Sequence, residues 1–393
     1  MAIRETCGQE IFKHMNAKGC KGLQEEVLEA GLCAYCGACA GACPYLVSYK
    51  GRIVILDNCT IPEPQCHKYC PRTDTDIEAV SQHIFSEAYS YNEIGTVERV
   101  LMARSTDQHI RERAQYGGTV TTLLSFALAE GLIDSAILTK MSPDKLPIAF
   151  LARSKKEILQ GAGSNFIACP VLEALNYIPE DSTDTLGIVA TPCQILALGK
   201  MKKNPPHNRA DIANVNLVIG LFCTWALCLD TFHGFLKENC DLSQVIKFDI
   251  PPPPANRFDI YTKSGNISFP LEQIREFIMT TCNYCLDMTA EFADISVGSV
   301  EGIEGWNTVL VRTDAGIELI DLAIARGILE TRDLPDQNLA HLKTAALNKK
   351  KTALKNIVEK TGNKKDLIYV SGVSEDITDK LLDGQLPPLK GVA

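Results

Sequence analysis

Residues 33–44 read CAYCGACAGACP, a C-x2-C-x2-C-x3-C run with a proline directly after its last cysteine. Cysteine thiolates at such short intervals can bind several irons of one cubane cluster, and the fourth cysteine of such a run ligates a neighbouring cluster. Four thiolates can also hold one structural zinc ion. Since the spacing and the proline fit the iron–sulfur pattern better, the run predicts electron transfer through iron–sulfur clusters.

The cysteines that follow repeat this pattern only in part. Cys70 is followed by Pro71, as the last cysteine of the first run is followed by its own proline. We expect Cys33, Cys36, Cys39 and Cys70 to hold a first cluster, and Cys43, Cys59 and Cys66 to hold a second. One of the usual closely spaced ligands is missing from the second set, and Glu63 stands where a cysteine would be expected. The alternatives for its completion are Cys20, Cys7, a ligand other than cysteine, and a three-iron cluster.

The composition limits the class of protein. The chain has 393 residues, of which 46% are hydrophobic, with a formal net charge of −9. A negative chain is a poor candidate for binding nucleic acid, because neutralising phosphates needs a basic face. The longest apolar stretch, 217–229, spans about 13 residues, where a membrane helix needs roughly 20. No secretory signal is evident, so we expect a cytoplasmic protein without direct membrane insertion. Its sixteen cysteines then indicate metal or redox chemistry and not disulfides.

The order of patterns along the chain predicts four regions. They are an N-terminal helix with a ferredoxin-like iron–sulfur domain (1–78), a linker (79–112), an α/β domain (113–335) and a Lys-rich helical tail (336–393). In the third region, apolar strand patterns at 135–138, 186–190 and 215–222 alternate with helical patterns at 121–131, 168–176 and 194–203. The predicted fold class is therefore a bacterial-ferredoxin-like segment with two [4Fe-4S] clusters, followed by an α/β domain. The lysines of the tail are expected on a solvated helix face, and the end of the tail is expected to be irregular.

Four more cysteines occur in the α/β region. Cys193 and Cys223 each follow a predicted strand, and Cys282 and Cys285 form a C-x2-C pair in a turn. Open α/β sheets bind their ligands at the carboxyl edge of the strands, so these four thiols could meet there around a third cubane. Alternatively, the first two are small buried hydrophobic residues. Spacing alone leaves both interpretations open.

Six short motifs, in this order along the chain, resemble the family of beta subunits of coenzyme F420 hydrogenases and dehydrogenases. They are YGGTVT (116–121), TPCQI (191–195), GLFC (220–223), CNYC (282–285), ADISVG (293–298) and GWNT (305–308). The resemblance covers about residues 113–326, and some members also carry an N-terminal two-cluster ferredoxin segment. It implies an FAD-dependent oxidoreductase subunit whose α/β domain binds both the flavin and a [4Fe-4S] cluster. It further implies that the ligands of this core cluster are Cys193, Cys223, Cys282 and Cys285.

The flavin site does not follow the usual dinucleotide fingerprint, because no G-x-G-x-x-G is present. Gly117, Gly118 and Thr119 instead precede a predicted helix, whose N-terminal amides can cradle a pyrophosphate. A plain Gly-Gly turn with a threonine cap is the alternative. A second small-residue loop, GAGSN at 161–165, is similar to a family loop near the flavin.

The resemblance gives a set of cofactor-binding residues. They are Gly117, Gly118, Thr119, Thr121, Gly163, Ser164, Asn165, Thr191, Asp294, Ser296 and Gly298. Where Asn165 and Phe166 stand, the family usually shows a Lys-Tyr pair, which indicates altered contacts there. For Asp294 the alternative is a buried residue of a packed strand.

The expected activity follows from counting electrons. A hydride carries two electrons and a cubane accepts one, so a flavin must stand between them, and no acid, base or nucleophile of the protein is required. The resemblance implies hydride exchange between coenzyme F420 and FAD, with single electrons passed to or from a partner subunit of an anaerobic complex. That partner would be a hydrogenase, a formate dehydrogenase or a heterodisulfide-reductase-like module. The alternatives are the same relay with NAD(P)H or ferredoxin in place of F420, and a flavin-free polyferredoxin conduit.

Overall fold

The computed structural model describes residues 18–205, 212–251 and 255–386. The strands are β1 Leu46–Tyr49, β2 Arg52–Ile55, β3 Thr75–Asp76, β4 Arg99–Ser105, β5 Ser135–Met141, β6 Pro147–Ala152, β7 Leu186–Ala190, β8 Val215–Leu221, β9 Val245–Asp249, β10 Arg257–Thr262, β11 Gly265–Pro270, β12 Ile295–Ser299, β13 Asn307–Val311, β14 Leu329–Arg332 and β15 Val370–Ser371.

The α-helices are α1 Cys20–Leu23, α2 Cys66–Tyr69, α3 Ile77–Phe85, α4 Gln108–Arg113, α5 Thr119–Ala129, α6 Lys155–Ile158, α7 Val171–Asn176, α8 Pro192–Lys203, α9 Leu229–Asn239, α10 Leu271–Arg275, α11 Asp314–Ala325, α12 Asp336–Thr361 and α13 Glu375–Asp383. A π-helical turn, Gln24–Leu28, continues α1, and 3-10 turns occur at Leu159–Gly161, Leu242–Gln244 and Thr280–Tyr284. In the described part of the chain, no helix combines the length and the apolar character needed to cross a membrane.

A large mixed sheet lies at the centre of the fold, with the strand order β14-β4-β13-β12-β8-β7-β5-β6. The central strands β12, β8, β7 and β5 are parallel, and antiparallel strands extend the sheet on both sides. Strands β7 and β8 are almost wholly apolar, as expected for parallel strands that are covered on both faces. Because parallel strands end at one edge, the segments that follow β7 and β8 leave the sheet side by side.

Helices cover both faces of this sheet. On one face, α5 and α11 pack through residues such as Leu123 against Ile219 of β8. On the other face, α7 and α8 pack through residues such as Leu172 against Ile188 of β7. Side chains of this size each contribute roughly 1.5–3 kcal/mol when fully buried. The two helix layers therefore fix the position of the carboxyl edge, where the chain leaves the central strands.

A smaller antiparallel sheet, ordered β11-β10-β9, is inserted between β8 and β12. It packs with α9 around an aromatic core, in which the rings of Phe232 and Phe258 lie 5.6 Å apart between centroids. The Gln115 side chain donates a hydrogen bond to Asp249 at the end of β9. This bond ties the inserted sheet to the segment that enters α5.

The loop that carries the first cysteines is anchored to the α/β body. The side-chain amide of Asn176, at the end of α7, donates to the backbone carbonyls of Gly37 (3.2 Å), Ala38 (3.1 Å) and Ala40 (2.8 Å). Gly37 has a φ of +88°, and a Cβ there would lie 2.5 Å from the backbone nitrogen of Glu173. Only glycine therefore allows the loop to approach α7 this closely.

The C-terminal segment closes over the same side of the molecule. Helix α12 packs beside the 3-10 turn Thr280–Tyr284, and β15 pairs in parallel with β3 of the cysteine-rich segment. The end of the chain was expected to be irregular, and the structure corrects this expectation with β15 and α13. Strand β15 has only two residues, which is too short for a strand pattern to be evident in the sequence.

The region 79–112 also differs from the prediction of a linker. Strand β4 runs inside the large sheet between β13 and β14. Its sequence, RVLMARS, contains two arginines that obscure the strand pattern. Arg104 is accommodated because its guanidinium pairs with Glu330 of β14 at 2.6 Å and lies 4.5 Å from the ring centroid of Trp306.

The other predicted elements are observed with small changes in their ends. The predicted alternation of strands and helices is confirmed, and helices α5 and α8 each begin two residues earlier than expected, at Thr119 and Pro192. The N-terminal helical pattern is seen from Cys20 onward. Cys7, a candidate ligand of the second cluster, lies outside the described residues.

Candidate functional site

The four cysteines predicted from the α/β region meet beyond the carboxyl ends of β7 and β8. We call Cys193, Cys223, Cys282 and Cys285 the core tetrad. Burial, together with neighbouring thiols of the tetrad, raises the pKa of Cys282 to about 11 and also raises the pKa of Cys223. The thiols therefore lie near enough to influence one another's ionisation. Segments that are distant in sequence thus bring four sulfur ligands to one place.

Local backbone structure positions these sulfurs. At the start of α8, the Thr191 amide donates to the side chain of Gln194 at 2.8 Å, and Pro192 takes the first helical position, where no N–H donor is needed. The Thr191 hydroxyl lies 3.5 Å from Sγ of Cys193. The backbone N–H of Ala226 donates to Sγ of Cys282 at 3.4 Å. Hydrogen bonds of this kind stabilise negative charge on sulfur.

A second set of thiols meets in the cysteine-rich segment. We call Cys33, Cys36, Cys39 and Cys70 the first tetrad. Burial raises the pKa of Cys33 to about 12 and also raises the pKa of Cys39, and the Cys70 thiol acts on both in the same direction. All four residues line one pocket, whose other walls include Leu23, Val27 and Ile53. A pocket with four thiols and an apolar lining suits a cluster held by cysteine.

A third set brings in the residue that spacing left open. We call Cys20, Cys43, Cys59 and Cys66 the second tetrad. Cys20 is buried and hydrogen-bonds with Cys59, and burial raises its pKa. The pKa of Cys66 is raised to about 12 by burial and by the thiols of Cys43, Cys20 and Cys59. Among the described residues, Cys20 is thus the fourth thiol of this group.

The three tetrads lie in a row. The Cys193 thiol of the core tetrad contributes to the raised pKa of Cys33 and of Cys36 in the first tetrad. The Cys66 thiol of the second tetrad contributes to the raised pKa of Cys39 in the first. The first tetrad therefore stands between the core tetrad and the second.

Four thiols in one place can hold either of two kinds of metal centre. Within residues 18–205, 212–251 and 255–386, no group of three His, Cys, Asp or Glu side chains is arranged to hold a single metal ion. A structural zinc ion takes four thiolates, with Zn–S bonds of about 2.3 Å. In a cubane, each thiolate binds a different iron. Both kinds of centre use the donor set that each tetrad supplies.

Two cations flank the core tetrad, Arg72, which is buried, and Lys349, which is half-buried. The Arg72 guanidinium donates through Nε to the Thr281 hydroxyl at 3.0 Å and lies 4.6 Å from the ring centroid of Tyr369. Lys349 of α12 donates through Nζ to the backbone oxygens of Cys223 (2.5 Å) and Asp287 (2.8 Å). The expectation that residues 349–351 form a solvated face is therefore wrong for Lys349, because α12 turns this side toward the tetrad.

A third cation supports the first tetrad. Lys200 of α8 is 6% exposed and donates to the Cys70 carbonyl at 2.7 Å, to the Asp74 carbonyl at 3.0 Å and to the Thr75 hydroxyl at 2.9 Å. Burial lowers its pKa to about 8. The same helix thus begins at the core tetrad and ends by holding the loop after Cys70.

The predicted pyrophosphate cradle lies where α5 begins, against β4. Gly118 has a φ of +73° and precedes the helix, and a Cβ on Gly117 would lie 2.7 Å from the Ala103 carbonyl. The Thr119 amide donates to the side chain of Asn307 at 3.3 Å. Thr121 lies buried in the first turn. Close packing is sufficient to explain both glycines. The turn is a candidate phosphate site because it lies at the carboxyl edge of the sheet.

The second predicted loop lies near the first. Gly163 has a φ of +104°, and a Cβ there would lie 3.8 Å from the Arg113 carbonyl, just before the Gly-Gly turn. The Asn165 side chain folds back on its own loop, accepting from the amide of Ile167 and donating to its carbonyl at 3.2 and 3.1 Å. Ser164 is half-buried between them. The loop conformation leaves open space on one side of Gly163.

Asp294 and Ser296 make their hydrogen bonds within the protein. The Asp294 carboxylate accepts from the amide of Val218 and from the hydroxyl of Thr313, each at 2.7 Å, and burial raises its pKa. The Ser296 hydroxyl accepts from Arg312 at 2.8 Å and donates to the Ala290 carbonyl at 3.0 Å. These contacts correspond to the packed-strand alternative.

Gly298 lies under an aromatic ring. A Cβ at this position would lie 2.0 Å from Cδ2 of Phe222. The Phe222 amide also donates to the carbonyl of Val297 at 3.0 Å. Glycine at 298 therefore allows the residue before Cys223 to lie flat on β12.

Gly298→Ala is expected to lower the free energy of unfolding by about 1–3 kcal/mol, the usual cost of overpacking. The measurement is urea unfolding followed by circular dichroism. Gly234→Ala is the control, because a Cβ on Gly234 meets nothing within 4 Å in helix α9. That control is expected to gain about 0.5–1 kcal/mol. Equal stability of Gly298→Ala and the wild type would contradict the packing role.

Some residues near the tetrads carry no sequence signal. Arg72 and Lys349 face the core tetrad, but neither has a characteristic spacing to any cysteine. Cys20 lies far from Cys59 in sequence, and only the short count of ligands in the second set pointed to it. Tertiary packing alone brings all three to their places.

Comparison with known proteins agrees with this geometry. The family described as coenzyme F420 hydrogenase/dehydrogenase, beta subunit, matches with its N-terminal part over residues 100–176 and with its C-terminal part over residues 183–337. The coenzyme F420 hydrogenase subunit beta of Methanothermobacter thermautotrophicus is 33% identical over 272 residues, which are 67% of this chain and 95% of that protein. A subunit of the F(420)H(2) dehydrogenase of Methanosarcina mazei is 27% identical over 322 residues, 76% of this chain and 84% of that protein.

A solved structure has the same fold. A chain of the F420-reducing [NiFe] hydrogenase complex from Methanosarcina barkeri superposes with a TM-score of 0.63 at 30% identity, covering 69% of this chain and 95% of its own. The family match includes all four cysteines of the core tetrad, whereas the first and second tetrads lie before it. On this evidence, the chain belongs to the family of coenzyme F420 hydrogenase/dehydrogenase beta subunits.

Proposed function

We propose that this chain is an iron–sulfur flavoprotein subunit that exchanges a hydride between coenzyme F420 and FAD and passes single electrons to or from a partner subunit. The observation that carries the proposal is the row of three tetrads that starts at the carboxyl edge of the large sheet. The relatives support the substrate, because they are named as F420 hydrogenase and F420H2 dehydrogenase subunits. The hydrogenase complex of the structural relative supports a partner subunit.

Each tetrad is proposed to hold one [4Fe-4S] cluster, with Cys20 completing the second. Four thiols with no competing oxygen ligand are the donor set that such clusters require. Under this assignment, the cysteine-rich region up to residue 78 carries two clusters, and the region 113–335 carries the core cluster and the flavin. The C-terminal region from 336 covers the core cluster through Lys349.

A bound flavin would supply the conversion between a two-electron hydride and one-electron carriers. We place it along Gly117, Gly118, Thr119 and Thr121, beside the loop of Gly163, Ser164 and Asn165, with Thr191 nearest the core tetrad. The flavin site would be supported indirectly by Asp294, Ser296 and Gly298, because their contacts hold β12 and the Phe222 ring in place. The inserted sheet closes the same edge through the bond between Gln115 and Asp249.

The residues of the chain have three tasks in this proposal. The cysteines hold iron in a fixed order, and the amides of Tyr35 and Ala226 donate to sulfur at 3.4 Å each. Half of the tetrad cysteines are buried and the others are half-buried, which limits the access of water to the proposed clusters. No side chain needs to act as an acid or base at the flavin.

The proposal is tested by anaerobic purification and donor screening. We expect about twelve irons and twelve sulfides per chain, from three cubanes, together with FAD. Mixing with reduced F420 should bleach the flavin in a stopped-flow instrument, and NADH and NADPH should not. Colourless protein, or zinc on the cysteines, would overturn the proposal, while reduction by NADPH alone would change its substrate.

Cys20→Ser is expected to remove the second cluster while leaving the other two. Iron should fall by about four atoms per chain, since each cubane holds four. Iron analysis and EPR of the reduced protein measure the change. Cys240→Ser is the matched control, because the Cys240 thiol bonds only the Leu236 carbonyl among the contacts of the described residues. Full iron content in Cys20→Ser would exclude Cys20 as a ligand.

A further inference from the structure

Two cations that face the core tetrad come from outside the α/β domain that supplies its cysteines. Arg72 belongs to the cysteine-rich segment and is 3% exposed. Lys349 belongs to α12, beyond the region matched by the family. Both are positioned by hydrogen bonds, Arg72 through Thr281 and Lys349 through the carbonyls of Cys223 and Asp287.

Among the residues that the structure describes, no carboxylate forms an ion pair with Arg72 or Lys349. A buried charge without a counter-charge is strongly unfavourable. The thiols of the core tetrad are groups beside the two cations that can carry negative charge, and Asp287 is another beside Lys349. Arg72 lines one cavity with Cys193 and Cys285.

We propose that Arg72 and Lys349 raise the reduction potential of the core cluster and so favour its reduction by the flavin. The inference rests on the proposed function, because it requires a cluster on the core tetrad. Reduction adds one negative charge to a centre that already carries four thiolates. Fixed positive charges in a low-dielectric surrounding favour that added electron.

The two cations are expected to differ in reach. The Arg72 charge also opposes the rise in the pKa of Cys33 and of Cys70 in the first tetrad, so Arg72 lies between two proposed clusters. The pKa of Lys349 is raised by the thiols of Cys223, Cys282 and Cys285, which all belong to the core tetrad. Removing the charge of Lys349 should therefore shift the core cluster alone, and removing that of Arg72 should shift both.

The test uses redox titration of the anaerobic holoprotein followed by EPR, with the core signal identified as the one lost in Cys282→Ser. Lys349→Gln should lower the core potential so that its electron affinity falls at least tenfold, which is about 59 mV for a one-electron couple. Lys349→Arg keeps the charge and should titrate as the wild type. Lys355→Met, on an exposed side of the same helix, is the matched control.

Arg72→Gln and Arg72→Lys form an independent second pair. A wild-type potential in whichever neutral variant retains its clusters would overturn the inference. If both neutral variants lose the core cluster, retention in Lys349→Arg and Arg72→Lys supports charge compensation, and loss there too overturns it. A wild-type protein without clusters would instead refute the proposed function, so the two failures are distinguishable.

Discussion

Replacing Cys282 with serine is expected to confine electrons to the flavin. Reduced F420 should still bleach the flavin at close to the wild-type rate, because Cys282 lies in the turn after the inserted sheet and not in the predicted flavin loops. Reduction of a one-electron dye should fall by roughly two orders of magnitude or more, about 2.7 kcal/mol in activation free energy. The reason is geometric, because the core tetrad would stand between the proposed flavin site and the first tetrad.

Stopped-flow absorbance separates the two steps, with one wavelength for the flavin and one for the clusters. Cys228→Ser is the matched control, since the backbone amide of Cys228 donates to the Phe277 carbonyl, shortly before the turn that carries Cys282, yet Cys228 belongs to no tetrad. Equal dye reduction by Cys282→Ser and Cys228→Ser would show that electrons leave by another route. Iron analysis checks that the proposed clusters of the first and second tetrads remain.

Lys350→Met is expected to destabilise the protein by about 3–5 kcal/mol, as when one partner of a buried ion pair is removed. Lys350 Nζ lies 2.5 Å from Glu291 Oε1, and the two side chains are 4% and 1% exposed. The Tyr89 hydroxyl also donates to Glu291. Without the ammonium, a carboxylate would be left buried with a single neutral donor. Urea unfolding of variants with equal iron content measures the loss.

The deficit of Lys350→Met should depend on pH. Burial raises the pKa of Glu291, and Lys350 opposes that shift, so the variant should raise the folded-state pKa further. A carboxyl whose folded pKa exceeds its unfolded value is least costly at low pH, and stability is lost as pH rises through the folded pKa. The difference from wild type should therefore grow from acid toward alkaline pH.

A double variant separates the charge from the packing. Lys350→Met combined with Glu291→Gln removes the unpaired charge, and most of the lost stability should return. Lys355→Met is the surface control on α12 and should change stability by less than about 0.5 kcal/mol. A Lys350→Met variant as stable as this control at alkaline pH would contradict the prediction.

The sequence predicts the central strands of the large sheet better than the strands nearer its edges. Strands β7 and β8 are apolar over nearly their whole length, so their pattern survives without any tertiary context. Strand β4 was missed because Arg99 and Arg104 interrupt its apolar residues, and both arginines are satisfied by acids that lie far away in sequence, Asp321 and Glu330. A local pattern cannot show such partners.

The cysteine sets also differ in how far a local sequence pattern predicts them. Cys33, Cys36 and Cys39 are close in sequence, as expected of one loop that would supply three ligands to a cubane, so spacing alone predicts this set. Cys20 is placed by the packing of α1 on the loop near Cys59, where a Cβ on Gly19 would lie 2.8 Å from Pro64. That contact joins residues that are distant in sequence, and a periodic pattern does not record it. Lys349 sits in a lysine run that would suit a solvated helix equally well.

The pairing of β3 with β15 has a consequence for biosynthesis. The earliest cysteines leave the ribosome long before the strand that pairs with β3, and the Thr281 hydroxyl that holds the Leu32 carbonyl at 2.6 Å is made 249 positions after it. If the tetrads hold the proposed clusters, iron and sulfide would be enclosed only after the last helices have been translated. Maturation factors would then act on the complete polypeptide, and a chain truncated before β15 is expected to lose its iron.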